Sequence, residues 1–172
     1  NTGRRRGRLD AFAKRSARFK MLRRAGLAAS RLVNTGGAPA AIWGSAVDGL
    51  SNCMLQKVRS IAGTATRCQV MGRSLTIDLA LTEGRRGGDP YLQVAAQPIY
   101  LWARAVWAGK PSLAKLQLAL LHNQTLFKKV RSPWSCIKGP AGVFLLSLRR
   151  VGWRAESARV IIDGDGRRLD LL

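Results

Sequence analysis

Apolar positions recur at intervals of three and four along most of the chain, the spacing of helices with one buried stripe. Leu9, Phe12, Phe19 and Leu22 mark the first stripe and predict an amphipathic helix over residues 8–24. Gly26 is expected to bend the chain before a second short helix, Leu27–Val33. Asn34-Thr35-Gly36-Gly37 then acts as a stop, because Asn and Gly tolerate a left-handed backbone. Pro39 suits the first turn of a helix carrying Ala40, Ala41, Ile42 and Trp43, which Asp48-Gly49 ends. Ser51 is placed to cap a helix whose Met54, Leu55, Val58, Ile61 and Ala62 form the next stripe.

The following stretch, Arg73–Leu81, is ambiguous. Leu75, Ile77 and Leu79 alternate as in a strand, but the helical neighbours favour a helix. Gly84–Gly88 is expected to be a loop. Asp89-Pro90 opens a helix that should bury Tyr91, Val94, Ile99, Trp102, Val106 and Trp107, with a kink at Pro98. A further helix from Ser112 to about Val130 points Leu113, Leu116, Leu120, Leu121 and Phe127 inward, and Gly139-Pro140 opens one that carries Val143, Phe144, Leu145, Leu148 and Val151. Residues 158–163 and 167–172, separated by Gly164-Asp165-Gly166, form a β-hairpin. The predicted fold is mainly α with a short C-terminal hairpin, divided as residues 1–83, 89–153 and 154–172.

Charge changes this picture from a generic helical protein to one with a preferred class of partner. The first 32 residues hold eleven basic side chains (Arg4, Arg5, Arg6, Arg8, Lys14, Arg15, Arg18, Lys20, Arg23, Arg24 and Arg31) against one acid, Asp10. That leaves a net +10 in a chain whose total is +21. These cations are expected to gather along one side of the leading helix, close enough together to meet successive sugar–phosphate units, with Lys57 and Arg59 as support on the helix after Ser51. A solvated surface ordinarily mixes signs, and so one-sided a segment points to a polyanion, nucleic acid first among them. Basic residues persist to Arg149 and Arg150, an extended track rather than one membrane anchor, and no apolar run is long enough to cross a bilayer. The segment also lacks the apolar core of a secretory signal. Three widely spaced cysteines, Cys53, Cys68 and Cys136, suggest reduced, buried thiols in a reducing compartment, nucleus or cytoplasm.

Catalytic chemistry is scarce. His122 is the sole histidine and has no nucleophile or carboxylate nearby in sequence. Cys53, Cys68, Cys136 and His122 lack the two-residue spacing of a zinc site. Asp163 and Asp165 offer two carboxylates for a divalent cation, but Asp-Gly-Asp-Gly is better suited to a hairpin turn. Gly84–Gly88 lacks the lysine and hydroxyl residue of a phosphate-binding P-loop. The tryptophans are expected to pack in the core or at helix ends, with stacking on bases as the alternative.

The order of short motifs resembles one family. Thr35-Gly36, Pro39-Ala-Ala-Ile-Trp-Gly44, Gly49-Leu50-Ser51 and the helix Leu55–Arg59 resemble the thumb segment that follows the palm in retrotransposon-type reverse transcriptases of the non-LTR kind. Gly72-Arg-Ser-Leu-Thr-Ile-Asp-Leu-Ala-Leu81, Asp89-Pro90, Leu101-Trp-Ala-Arg-Ala-Val-Trp107, Gly139-Pro-Ala-Gly142 and Ser147-Leu-Arg-Arg-Val-Gly-Trp153 resemble the connecting region of the reverse-transcriptase polyproteins of dinoflagellates. The resemblance implies a thumb-like helical bundle that grips primer–template, RNA or an RNA–DNA duplex, beside an upstream polymerase palm. The parent would be an RNA-directed DNA polymerase using magnesium. The paired aspartates of the polymerase centre are missing here, so this chain is expected to be a non-catalytic part that holds no cofactor of its own. The rival expectation is a structural RNA-binding protein such as an organellar ribosomal component.

Overall fold

A computed structural model describes residues 2–66, 72–81 and 88–172, with the side chains of Thr2, Arg4 and Arg5 excluded. The chain is mainly helical, with a small antiparallel sheet at the C-terminal end. It divides into two compact units, residues 1–43 with 51–92, and residues 44–50 with 93–172. The expected loop at Gly84–Gly88, including Arg85 and Arg86, and Cys68 fall outside the described residues, Gly88 excepted.

In the first unit, the single helix expected over 8–24 is two helices, α1 (Thr2–Lys14) and α2 (Ser16–Arg24). They break at Arg15, whose amide donates to the Phe12 carbonyl three residues back, at 3.1 Å. The reason lies in Phe12 and Phe19. Seven residues of straight helix would separate them by about 10.5 Å along the axis, yet their ring centroids lie 5.9 Å apart. Both rings close over Gly37, where an added Cβ would stand 2.6 Å from Phe12 Cε2 and 3.5 Å from Phe19 Cζ.

That contact also overturns the expected stop at residues 34–37. After α3 (Ala29–Leu32) the backbone continues through a π-helical turn, Val33–Gly37, directly into α4 (Ala38–Ile42). Gly37 keeps a helical backbone, φ −65° and ψ −57°, so its missing side chain serves close approach rather than a left-handed bend. Pro39 lies in the first turn of α4, as its fixed φ favours, but the helix expected to run to Asp48-Gly49 ends at Ile42, where Trp43 is extended and Gly44 takes φ +78°.

Ser51 caps α6 (Asn52–Gly63) by accepting a hydrogen bond from the Met54 amide at 3.3 Å. Leu55, Val58 and Ala62 form its buried stripe. The ambiguous segment is helical, α7 (Leu75–Leu81). Arg73 ties it to the end of α6 by donating to Asp78 Oδ2 at 2.6 Å and to the Gly63 carbonyl at 2.9 Å. Helix α8 (Pro90–Trp107) starts at Asp89, whose carboxylate accepts from the Tyr91 amide at 2.9 Å, and Pro98 lies inside it.

The second unit packs α5 (Ser45–Asp48), the rest of α8, α9 (Leu113–Lys128) and α10 (Pro140–Arg150) with the sheet. Phe144, Leu120 and Leu148 are fully buried at its centre. Gly49 ends α5 at φ +71°, and its position leaves no room for a Cβ against Ile137. Trp102 stacks on Phe144 with centroids 4.5 Å apart and planes 6° from parallel, while its indole N–H donates to the Ala158 carbonyl at 2.8 Å. Strands β1 (Arg154–Ala155), β2 (Val160–Ile162) and β3 (Arg168–Asp170) pair in order, so the expected hairpin gains a third strand. Ala158 and Ile161 belong to the same core as Phe144, which joins the tail to the helices instead of leaving it apart.

Four apolar expectations fail. Trp107, Leu113 and Leu121 point outward and are exposed, and Trp43, expected to pack at a helix end, is exposed as well. Trp102 and Val106 already fill the inward face of α8, and Leu116, Leu120 and Phe127 that of α9.

Candidate functional site

The described cations of the first unit, apart from Arg73 with its Asp78 partner, fall into three groups by environment. Arg6, Lys14, Arg15, Arg18, Lys20, Arg24, Arg31 and Lys57 are exposed. Among the described residues, none of these eight lies within ion-pair distance of a carboxylate. Arg8 and Arg23 are half-buried. The Arg23 guanidinium reaches the Thr66 carbonyl at 3.5 Å, and Arg8 Nε is buried without a hydrogen-bond partner among the described residues. Arg59 turns inward.

The environment of Arg59 is built by residues far along the chain. Its Nε donates to Asp89 Oδ1 at 2.9 Å and its Nη2 to Asp89 Oδ2 at 2.7 Å, a forked pair with matching planar geometry. Nη2 also donates to Thr76 Oγ1 at 2.8 Å, and the guanidinium lies over the Tyr91 ring at 5.6 Å. Asp89 is only 4% exposed, so the pair is an internal tie rather than a surface contact. Arg59 therefore differs in kind from its neighbour Lys57. No sequence signal near Arg59 announces a partner thirty residues on, although Asp89-Pro90 was legible as a helix start.

Helices α1 and α6 flank a groove of about 970 Å³ inside this unit. Arg6, Leu9, Asp10 and Ala13 face it from α1, at helical intervals of three and four; Cys53, Gln56, Lys57 and Ser60 face it from α6 at the same intervals. Leu9 is buried, and Met54 and Ile61 are partly covered, so these line an apolar floor. Arg6 and Lys57 are exposed cations of one groove, with Gln56 and Ser60 as neutral hydrogen-bonding groups and Asp10 as the one acid. Two cations far apart in sequence are thus brought to one place.

The expectation that the cations gather along one side of the leading helix does not hold. At about 100° per residue, Lys20 and Arg24 fall on one flank of the buried Phe19 and Arg18 on the other. The first unit offers cations on both sides of the α1–α2 stripe, and the groove is where cations of two helices converge.

Asp163 Oδ1 accepts the amides of Asp165 and Arg167 at 2.9 and 2.8 Å, the hydrogen bonding of a turn. No group of three or more metal-capable side chains occurs among the described residues. His122 is exposed. Cys53 is exposed and Cys136 half-buried, against the expectation of buried thiols. No described helix is long and apolar enough to cross a membrane. In comparisons with protein families, with curated proteins and with solved structures, nothing matches this chain.

Proposed function

We propose that the first unit binds the sugar–phosphate backbone of nucleic acid without reading its sequence, through exposed arginines and lysines of α1, α2 and α6. The observation that carries this reading is the convergence of Arg6 and Lys57 on one groove, each free of any described carboxylate. Lys14, Arg15, Arg18, Lys20, Arg24 and Arg31 add exposed charge in the same unit. A phosphate oxygen can accept from the planar arginine fork or the lysine ammonium, and release of condensed counterions supplies the affinity. Arg59 is left out of this surface because Asp89 holds it inside.

The resemblance to the thumb and connection of retrotransposon reverse transcriptases gives the binding a setting. There the chain would hold primer–template while a palm domain, with its magnesium, performs synthesis. The phosphate-binding reading stands on the cations alone and does not need that setting.

A salt titration tests it. On duplex DNA the slope of log affinity against log salt is about −0.9 per phosphate neutralised. Arg6→Glu with Lys57→Glu should weaken binding and flatten the slope by about 2. Lys115→Glu, an exposed cation on α9 of the other unit, should change the slope by less than half as much. An unchanged slope in the double variant removes the groove from the function.

A further inference from the structure

We propose that the outward face of α8 is a stacking platform for unpaired bases, with Tyr100 and Trp107 as its planar surfaces and Arg104 as the phosphate contact between them. This gives the second unit a role of its own and extends the nucleic-acid reading, on which it rests, to single strands.

The tryptophans of α8 have opposite fates. Trp102 is 5% exposed and held by Phe144 and the Ala158 carbonyl; Trp107, five residues on, is 74% exposed. Tyr100 is 64% exposed. Tyr100, Arg104 and Trp107 are spaced by four and three residues, so they share one face of the helix and span about 10.5 Å of it. That length covers about three base steps at the 3.4 Å stacked repeat. Gln97 lies on the same face one turn earlier and is exposed, a donor and acceptor for base edges.

Charge selects among occupants. Helix α8 carries no acid, and Arg104 is exposed with no described carboxylate in ion-pair range. A second copy of the chain, itself at +21, would bring like charge to this face. Aromatic rings that alternate with a guanidinium are what an unpaired strand uses: a π-face for each base and a cation for the phosphates between them. Duplex buries its base faces in its own stack and gains nothing from exposed rings.

The test uses the full chain and three labelled probes of equal length: oligo(dT), the same strand with abasic sites throughout, and a duplex. Binding is read by anisotropy at fixed salt. The wild type should prefer oligo(dT) to the abasic strand. Trp107→Ala should lower oligo(dT) affinity by about tenfold, the scale of one lost base–aromatic stack, and bind the abasic strand and the duplex within about twofold of wild type. Trp107→Phe, which keeps a π-face, should retain most of the preference. Because Trp107 is exposed, the helical circular-dichroism spectrum should not change, and a spectrum that does change in Trp107→Ala is replaced as a test by Tyr100→Ala. Equal loss on all three probes, or no loss on oligo(dT), overturns the platform while leaving the phosphate-binding groove in place. A dimer that Trp107→Ala converts to monomer overturns it in favour of self-association. Failure of the wild type to bind any probe sinks this inference and the proposed function together.

Discussion

Arg59 and Lys57 sit two positions apart on α6, yet a guanidinium 14% exposed and an ammonium in open solvent answer to different physics. Removing Arg59 would leave the Asp89 carboxylate buried without its counter-charge. Arg59→Ala should therefore destabilise the first unit by about 3 kcal/mol, measured by urea unfolding. Arg59→Met together with Asp89→Asn, which removes both charges, should recover most of that loss. Neither change should alter the salt slope of nucleic-acid binding, which would fall if Arg59 were itself a phosphate contact. The local chemistry of the sequence showed that Arg59 is basic. It did not show that Asp89 and Thr76 would enclose it, because a pair thirty residues apart leaves no periodic trace.

Elements were legible where a short-range rule decides them. Ser51 before an apolar stripe, Asp89 before Pro90, and Asp-Gly-Asp-Gly after the β-branched run Val160–Ile162 each carry their own hydrogen-bonding logic, and each forms as expected. The rule failed at Gly36-Gly37, where glycine was read as conformational freedom but Gly37 acts as space for Phe12 and Phe19. It failed again at Trp107, since helical periodicity locates a stripe but does not say how wide it is. The hairpin has an acid dependence that can be derived from its pairing. Arg159 donates to both oxygens of Asp170 at 2.6 and 2.7 Å, and the Leu172 amide adds a third bond, which together hold the Asp170 carboxyl below its ordinary value of 3.8. A lowered folded value means that the contribution is complete above the unfolded one and is lost as pH falls through the lowered one. Exchange of the Leu171 amide, which donates to the Arg159 carbonyl at 3.0 Å across the same pair of strands, should therefore accelerate, relative to α10, on acidification from about pH 6 to about pH 2. Asp170→Asn should remove that pH dependence; an identical acceleration in the variant would place its cause elsewhere.

The whole molecule carries 30 basic residues against 9 acids, and most of the described cations face water. Self-repulsion of this size opposes compaction, and mobile ions relieve it. Raising ionic strength from about 0.01 M to about 0.15 M shortens the screening length from about 30 to about 8 Å. The thermal midpoint should rise across that range, and a duplex added at low salt should raise it further. A midpoint that falls with salt would mean that attractive pairs outweigh repulsion, contrary to the few described here. Composition alone made this property legible. The groove between α1 and α6 was not, since it depends on which faces of two separate helices meet.

Residues 44–50 have a consequence for how the molecule can be taken apart. The chain leaves the first unit after Trp43, contributes α5 to the second, and returns at Ser51. Leu50 is buried there, and its carbonyl accepts from Arg150 at 2.6 Å, a hundred residues downstream. A fragment cut after Leu92 would hold every cation of the groove but carry, in its middle, a segment stripped of the core that covers it. The basic half is therefore not a cassette that can be excised by a single cut. Dissection would need residues 44–50 replaced by a polar linker before the two halves could be handled separately.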